Sequence, residues 1–281
     1  MGAGDWSAAN GGASRTGSVL REVISALRLA AFHAWRTVRA DAVCSRVLPL
    51  LAASLVIVLS LSIWAEMDAP AFVAHHFDLS RDRSLAEIYG YVLSGTTALL
   101  LLGAWRRWGA PLYLAFSLLF AFALVDDAFS YHENMARHVL KPLFDLPRLP
   151  GLRLQDTGEL LAWALAAFVL AIPAALALLR PATNKLAACI LLAIPAALLA
   201  GFAIGADMVH GLADGYRMKI AAGLIEDGGE LCALALAATF SLIALRSPLS
   251  TGGTAGGRAQ DAHAQRGIAG RPTHDPLRPP A

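Results

Sequence analysis

Charge is what this chain has least of. Only 16% of its 281 residues are Asp, Glu, Lys or Arg, where a soluble domain carries roughly 25%. That excludes an ordinary water-exposed globule. With 57% hydrophobic residues and a mean hydropathy of +0.55, the composition points instead to a polytopic membrane protein. Cysteine is scarce too. Cys44, Cys189 and Cys232 stand apart with no C-x-x-C pair, which argues against a disulfide framework and a thiolate metal site and leaves packing as the simple role. No glycine-rich phosphate loop occurs, because the glycine runs fall in the tails. A basic groove with interleaved aromatics is also missing, so nucleic acid is not an expected partner. The first 18 residues are small and polar with no apolar stretch, so no cleavable signal peptide is expected.

What the chain has is apolar length. Six segments, about 47–66, 86–105, 110–130, 159–179, 186–208 and 221–245, each approach the ~20 residues that cross a bilayer. Trp64, Trp105, Trp108 and Trp163 sit near proposed ends, as interface aromatics do. Residues 19–40 read as a basic amphipathic helix: Arg21, Arg28, Arg36 and Arg39 share one face, with Leu20, Leu27, Ala31 and Val38 on the opposite flank. Lying on the cytoplasmic lipid surface is the leading role for such a helix, and docking to a partner protein is the alternative. The expected fold is therefore all-α, a six-helix transmembrane bundle with an N-terminal amphipathic interfacial helix. Its parts are a disordered 1–18, the basic helix at 19–45, the six-span domain at 46–246 and a disordered tail at 247–281. Pro173 and Pro195 lie in near-identical Leu-Ala-Ile-Pro-Ala-Ala-Leu stretches, which low complexity explains as well as a repeat does.

Placing both termini in the cytoplasm puts 15 of the 23 basic residues inside, as the positive-inside rule requires, and suits a bacterial inner membrane. The acids show the opposite bias: 16 of 21 fall on the outer half. Topology brings three polar patches to that outer level. The first is Asp126-Asp127-Ala128-Phe129-Ser130-Tyr131-His132-Glu133, closing segment three. The second is Asp207 and His210, closing segment five. The third is Glu226, Asp227 and Glu230, in the outer third of segment six. Glu66, Asp68 and Glu159 reach the same level. By helical phase Asp126, Ser130 and Glu133 share a face, whereas His132 points away from Asp126 and joins it only if the helix breaks there.

Ionisable groups at membrane depth are costly and are functional by default. Close carboxylates cannot all ionise without a proton or a cation among them, and no Lys or Arg lies within the patches. A divalent metal, zinc or iron, is therefore the leading account, with Asp126, His132, Glu133, Asp207, His210, Glu226, Asp227 and Glu230 as candidate ligands. Glu133 and Asp127 are the candidate catalytic groups, in a metal-dependent membrane hydrolase or oxidase acting on a lipid or another apolar substrate. Two other readings stay open. A structural or assembly protein would use the polar cluster to fix helix packing. A cation- or proton-coupled transporter is argued against by inner segment halves without ionisable residues. Membrane lipid is the expected partner, and homo-oligomerisation is open.

The pairing Asp126, Asp127, His132, Glu133 with Glu226, Asp227, Glu230 resembles a pattern of uncharacterised bacterial multi-pass membrane proteins, which have an acidic pair, then His-Glu, then a later acidic pair and Glu. The resemblance covers segments three to six. It implies a shared buried polar site and no particular activity. The chain departs from ceramidase- and adiponectin-receptor-like hydrolases, because it has no His-x3-His.

Overall fold

The computed structural model describes residues 8–67, 69–79, 81, 83–144, 146, 154–179, 183–206 and 215–249. Among these, every regular element is helical. In order they are α1 (Ala8–Ala40), α2 (Ala42–Glu66), α3 (Ala71–Phe77), α4 (Leu85–Trp108), α5 (Pro111–Phe129), α6 (Tyr131–Met135), the π-turn π1 (Ala136–Leu140), α7 (Lys141–Leu143), α8 (Leu154–Leu178), α9 (Thr183–Ala200), π2 (Gly201–Ala206) and α10 (Tyr216–Arg246). Six stretches are long and apolar enough to span a membrane: α2, α4, α5, Thr157–Leu176 of α8, Asn184–Gly205 of α9 and π2, and Met218–Arg246 of α10.

Local chemistry sets the helix ends. Asp41 caps α2, its Oδ1 accepting the Val43 and Cys44 amides at 2.9 Å each. At α4, Ser84 Oγ accepts the Glu87 amide while the Glu87 carboxylate accepts the Arg83 amide, a variant of the capping box. Gly109, at φ 68°, takes the left-handed turn that closes α4, and Pro111 opens α5.

Helix α10 is the most buried span and packs against α4, α9 and α2; α4 pairs with α5, and α5 with α8. Small residues allow this. A Cβ at Gly90 would sit 3.3 Å from Leu231 of α10, and one at Gly229 would run into the Phe202 ring of π2. Ser94 donates to the Phe120 carbonyl at 3.0 Å and Ser117 to the Ala98 carbonyl at 2.8 Å, which ties α4 to α5 by neutral hydrogen bonds. Outward, α2 and α8 present bare apolar side chains such as Val56 (62% exposed) and Phe168 (70%). Apolar surface on this scale, on six helices long and apolar enough to cross a bilayer, identifies an integral membrane protein.

The bundle is bipolar in charge. Glu66 closes α2, Glu87 opens α4 and Asp126 lies in the last turn of α5, whereas Arg46, Arg106, Arg107 and Arg246 lie at the opposite helix ends. The bundle thus has an acidic end and a basic end. Two boundaries differ from the sequence expectation. Helix α1 begins at Ala8, within the stretch expected to be disordered, and the chain breaks at Asp41 because that residue turns extended (φ −96°, ψ 119°) to cap α2. Residues 1–7 and 250–281 lie outside the described residues.

The Asp41 cap carries a pH prediction. Arg246 reaches Asp41 Oδ2 at 2.8–2.9 Å, and together with the Cys44 and Val43 amides it holds the carboxyl at about 2, below the ordinary 3.8. A depressed folded-state value stabilises above the unfolded value and is lost as pH falls through the folded one. Acid unfolding is therefore expected to show a component lost between pH 3.8 and about 2. In Asp41→Asn a melt-versus-pH series should flatten in that window.

Candidate functional site

The acidic end is built around a bend. Helix α5 stops at Ser130, which sits in the left-handed region at φ 46°, ψ 49°, a conformation that costs a non-glycine residue roughly 1–2 kcal/mol. Its amide still bonds the Asp126 carbonyl, Asn134 Nδ2 donates to the Phe129 carbonyl at 2.9 Å, and α6 then starts in a new direction. This is the break that the sequence made the condition for His132 to meet Asp126, and they do meet. Asp126 Oδ1 accepts the His132 amide at 2.8 Å, and Oδ2 accepts His132 Nδ1 at 2.9 Å. The Asp126 carboxylate is fully buried, whereas the imidazole is 28% exposed.

Surroundings set the charge of His132. Burial pushes the imidazole down. The hydrogen bond to Asp126 and its charge, with Glu159 and Glu133 nearby, outweigh that and hold His132 above its ordinary 6.5. Trp163 of α8 lies 5.9 Å from the ring, tilted by 35°, and Phe122 meets both Trp163 and Tyr131 edge-on. The imidazole is thus held by carboxylates and faced by aromatic surface.

A second set of acids lies across the same end. Glu87 of α4 accepts from the Tyr91 hydroxyl, which also lies 3.5 Å from the Asp127 carbonyl. Glu66 and Asp78 are side-chain hydrogen-bond partners. Asp227 lies within electrostatic reach of Glu226, Asp78, Glu66 and Glu87, and Asp127 within reach of Asp126, His132 and Glu87. Glu87 therefore connects the first patch to the third.

Asp126 and His132 are in direct contact. Glu133 is close to His132 electrostatically, but its carboxylate turns to Arg137, 3.8 Å away on the next turn. The shared face expected for Asp126 and Glu133 does not exist, since that phase assumed a helix continuous through Ser130. Asp127 is exposed on the flank of α5; Glu226, Asp227 and Glu230 are half-buried on α10. Asp207 and His210 lie outside the described residues. Among the described residues no three His, Cys, Asp or Glu side chains are placed to hold one metal ion. Glu87, Tyr91 and Asp78 were not singled out from sequence. The signals for the first two were the Ser84-x-x-Glu87 cap and the one-turn spacing from Glu87 to Tyr91.

A family described as a domain of unknown function, DUF8692, matches residues 25–244. The chain belongs to that family. The match begins within α1 and runs nearly to the end of α10, so it contains every acidic-end residue named above, Arg246 of the basic end falling just outside it. No curated protein and no solved structure matches the chain.

Proposed function

We propose that the acidic end is an acid–base catalytic site for a lipid or another apolar substrate. His132 is its proton acceptor and Asp126 the residue that positions it. The 2.9 Å bond between Asp126 Oδ2 and His132 Nδ1 carries this reading. A carboxylate accepts, so Nδ1 holds the proton, and the neutral ring keeps its lone pair on Nε2. That nitrogen has no hydrogen-bond partner among the described residues. An oriented imidazole with an open Nε2 suits hydrolysis or group transfer, in which a base takes a proton from water or an alcohol. Trp163, Phe122 and Tyr131 support the apolar substrate, and the basic-residue distribution supports a bacterial inner membrane with the site on the outer face.

The same bond supports a second form of the site. Metal-bound histidines typically donate their other ring N–H to a carboxylate. In this form zinc or iron would sit at His132 Nε2, with Asp207, His210 and the α10 acids as further donors. Metal analysis of the purified chain tests it: no bound transition metal, or equal metal in wild type and His132→Gln, would remove it.

The direct test places full-length protein in nanodiscs of inner-membrane lipid extract and follows lipid species by mass spectrometry. Wild type is expected to convert a lipid class, and His132→Gln to lose roughly 100-fold or more of that rate. Conversion should rise with pH at values above 6.5, because the base form appears only above the raised value of His132. Stability should move the other way. A raised histidine stabilises fully below 6.5 and loses its contribution as pH climbs through the folded-state value. Equal rates in both proteins would leave the clasp a structural element and overturn the catalytic reading.

A further inference from the structure

At the basic end, α1, the Asp41 turn and the last turn of α10 enclose a cleft of about 460 Å³, lined by His33, Arg36, Thr37, Asp41, Arg246 and Ser247. His33 Nε2 donates to the Ser247 carbonyl at 2.9 Å, which fixes α1 to the end of α10. Arg246 gives part of its guanidinium to Asp41 and stays 36% exposed at its side chain. Arg36 is exposed and has no ion-pair partner among the described residues. Asp41 is held ionised by Arg246, so the two arginines leave one unbalanced positive charge at the cleft.

The helix beside the cleft has three faces. Ala26, Ala30 and Thr37 are buried toward the bundle, Ala26 and Ala30 in one cluster with Ala187, Ala188 and Leu191 of α9. Around the helix from that stripe come Leu20, Ile24, Leu27 and Trp35, all exposed. Next come Arg21, Arg28, Arg36 and Arg39, also exposed, with Arg39 4.1 Å over the Trp35 ring. Apolar side chains next to arginines on an exposed helix match the acyl chain and phosphate of one lipid molecule.

We propose that this cleft binds the phosphate of an anionic phospholipid, held by Arg36 and the free edge of Arg246. The site is separate from the acidic end and independent of any reaction there. Basic pockets beside membrane helices suit such headgroups because each nearby arginine adds to the attraction.

Native mass spectrometry of the full chain, released from micelles containing equal phosphatidylglycerol and phosphatidylcholine, tests the proposal. Wild type should retain phosphatidylglycerol preferentially. Arg36→Gln should weaken that preference roughly fivefold, and Asp41→Asn, which can still cap α2, should strengthen it. Size-exclusion profiles matching wild type confirm that both variants fold. No headgroup preference, no loss in Arg36→Gln, or a fall in Asp41→Asn would each overturn the proposal. Displacement of bound lipid by millimolar inorganic phosphate would show a free-anion site instead and overturn the lipid assignment.

Discussion

His132→Ala should lower stability at neutral pH by about 3 kcal/mol or more, the scale for stripping a buried charge of its partner. Asp126 is fully buried, and its carboxylate accepts hydrogen bonds from the amide and ring of His132. Alanine keeps the amide and removes the ring, leaving a carboxylate in an apolar wall. The bend at Ser130 adds to the loss, because a strained left-handed residue persists only while its surroundings hold it. His132→Gln, which can still donate to Asp126, should cost less. Arg137→Ala, which breaks only the exposed pair with Glu133, should change stability by well under 1 kcal/mol. Equilibrium unfolding in mixed detergent measures all three, and a His132→Ala deficit no larger than that of Arg137→Ala would refute the clasp.

A valine at Gly229 is the second large effect. Any Cβ there overlaps the ring of Phe202, whose atoms at that point belong to the stem side of the ring rather than to a flexible tip. Overpacking a tight contact costs about 1–3 kcal/mol, so Gly229→Val should destabilise by about that amount and Gly229→Ala by less. Trimming the opposing ring in Phe202→Ala opens the space. The double variant should therefore be more stable than the sum of the single losses allows, which a double-mutant cycle reads directly. Strict additivity would mean that α10 and π2 do not meet at Gly229.

The membrane architecture could be read from composition because its cause is simple. A span needs about twenty apolar residues, and the six expected segments match the observed ones to within a few residues. The site was harder to read. Whether His132 reaches Asp126 depends on one backbone torsion pair at Ser130, and nothing in a sequence of helix-compatible residues fixes a left-handed serine. Glu87 escaped notice because at a helix start it is an ordinary capping residue. Only the packing of α4 between α5 and α10 places it within reach of both Asp127 and Asp227. The early start of α1 ran against a Gly- and Ser-rich composition that favours disorder.

In the proposed site Asp126 holds His132 as an oriented, titratable base. The most direct measurement is the titration of His132 by NMR in histidine-labelled full-length protein, in wild type and in Asp126→Asn. Wild type should titrate above 6.5 with Nδ1 protonated in the neutral ring. Asp126→Asn should titrate lower, because burial then acts with only Glu159 and Glu133 to oppose it. A His132 that titrates at or below 6.5 in wild type, or at the same pH in both proteins, would contradict the account.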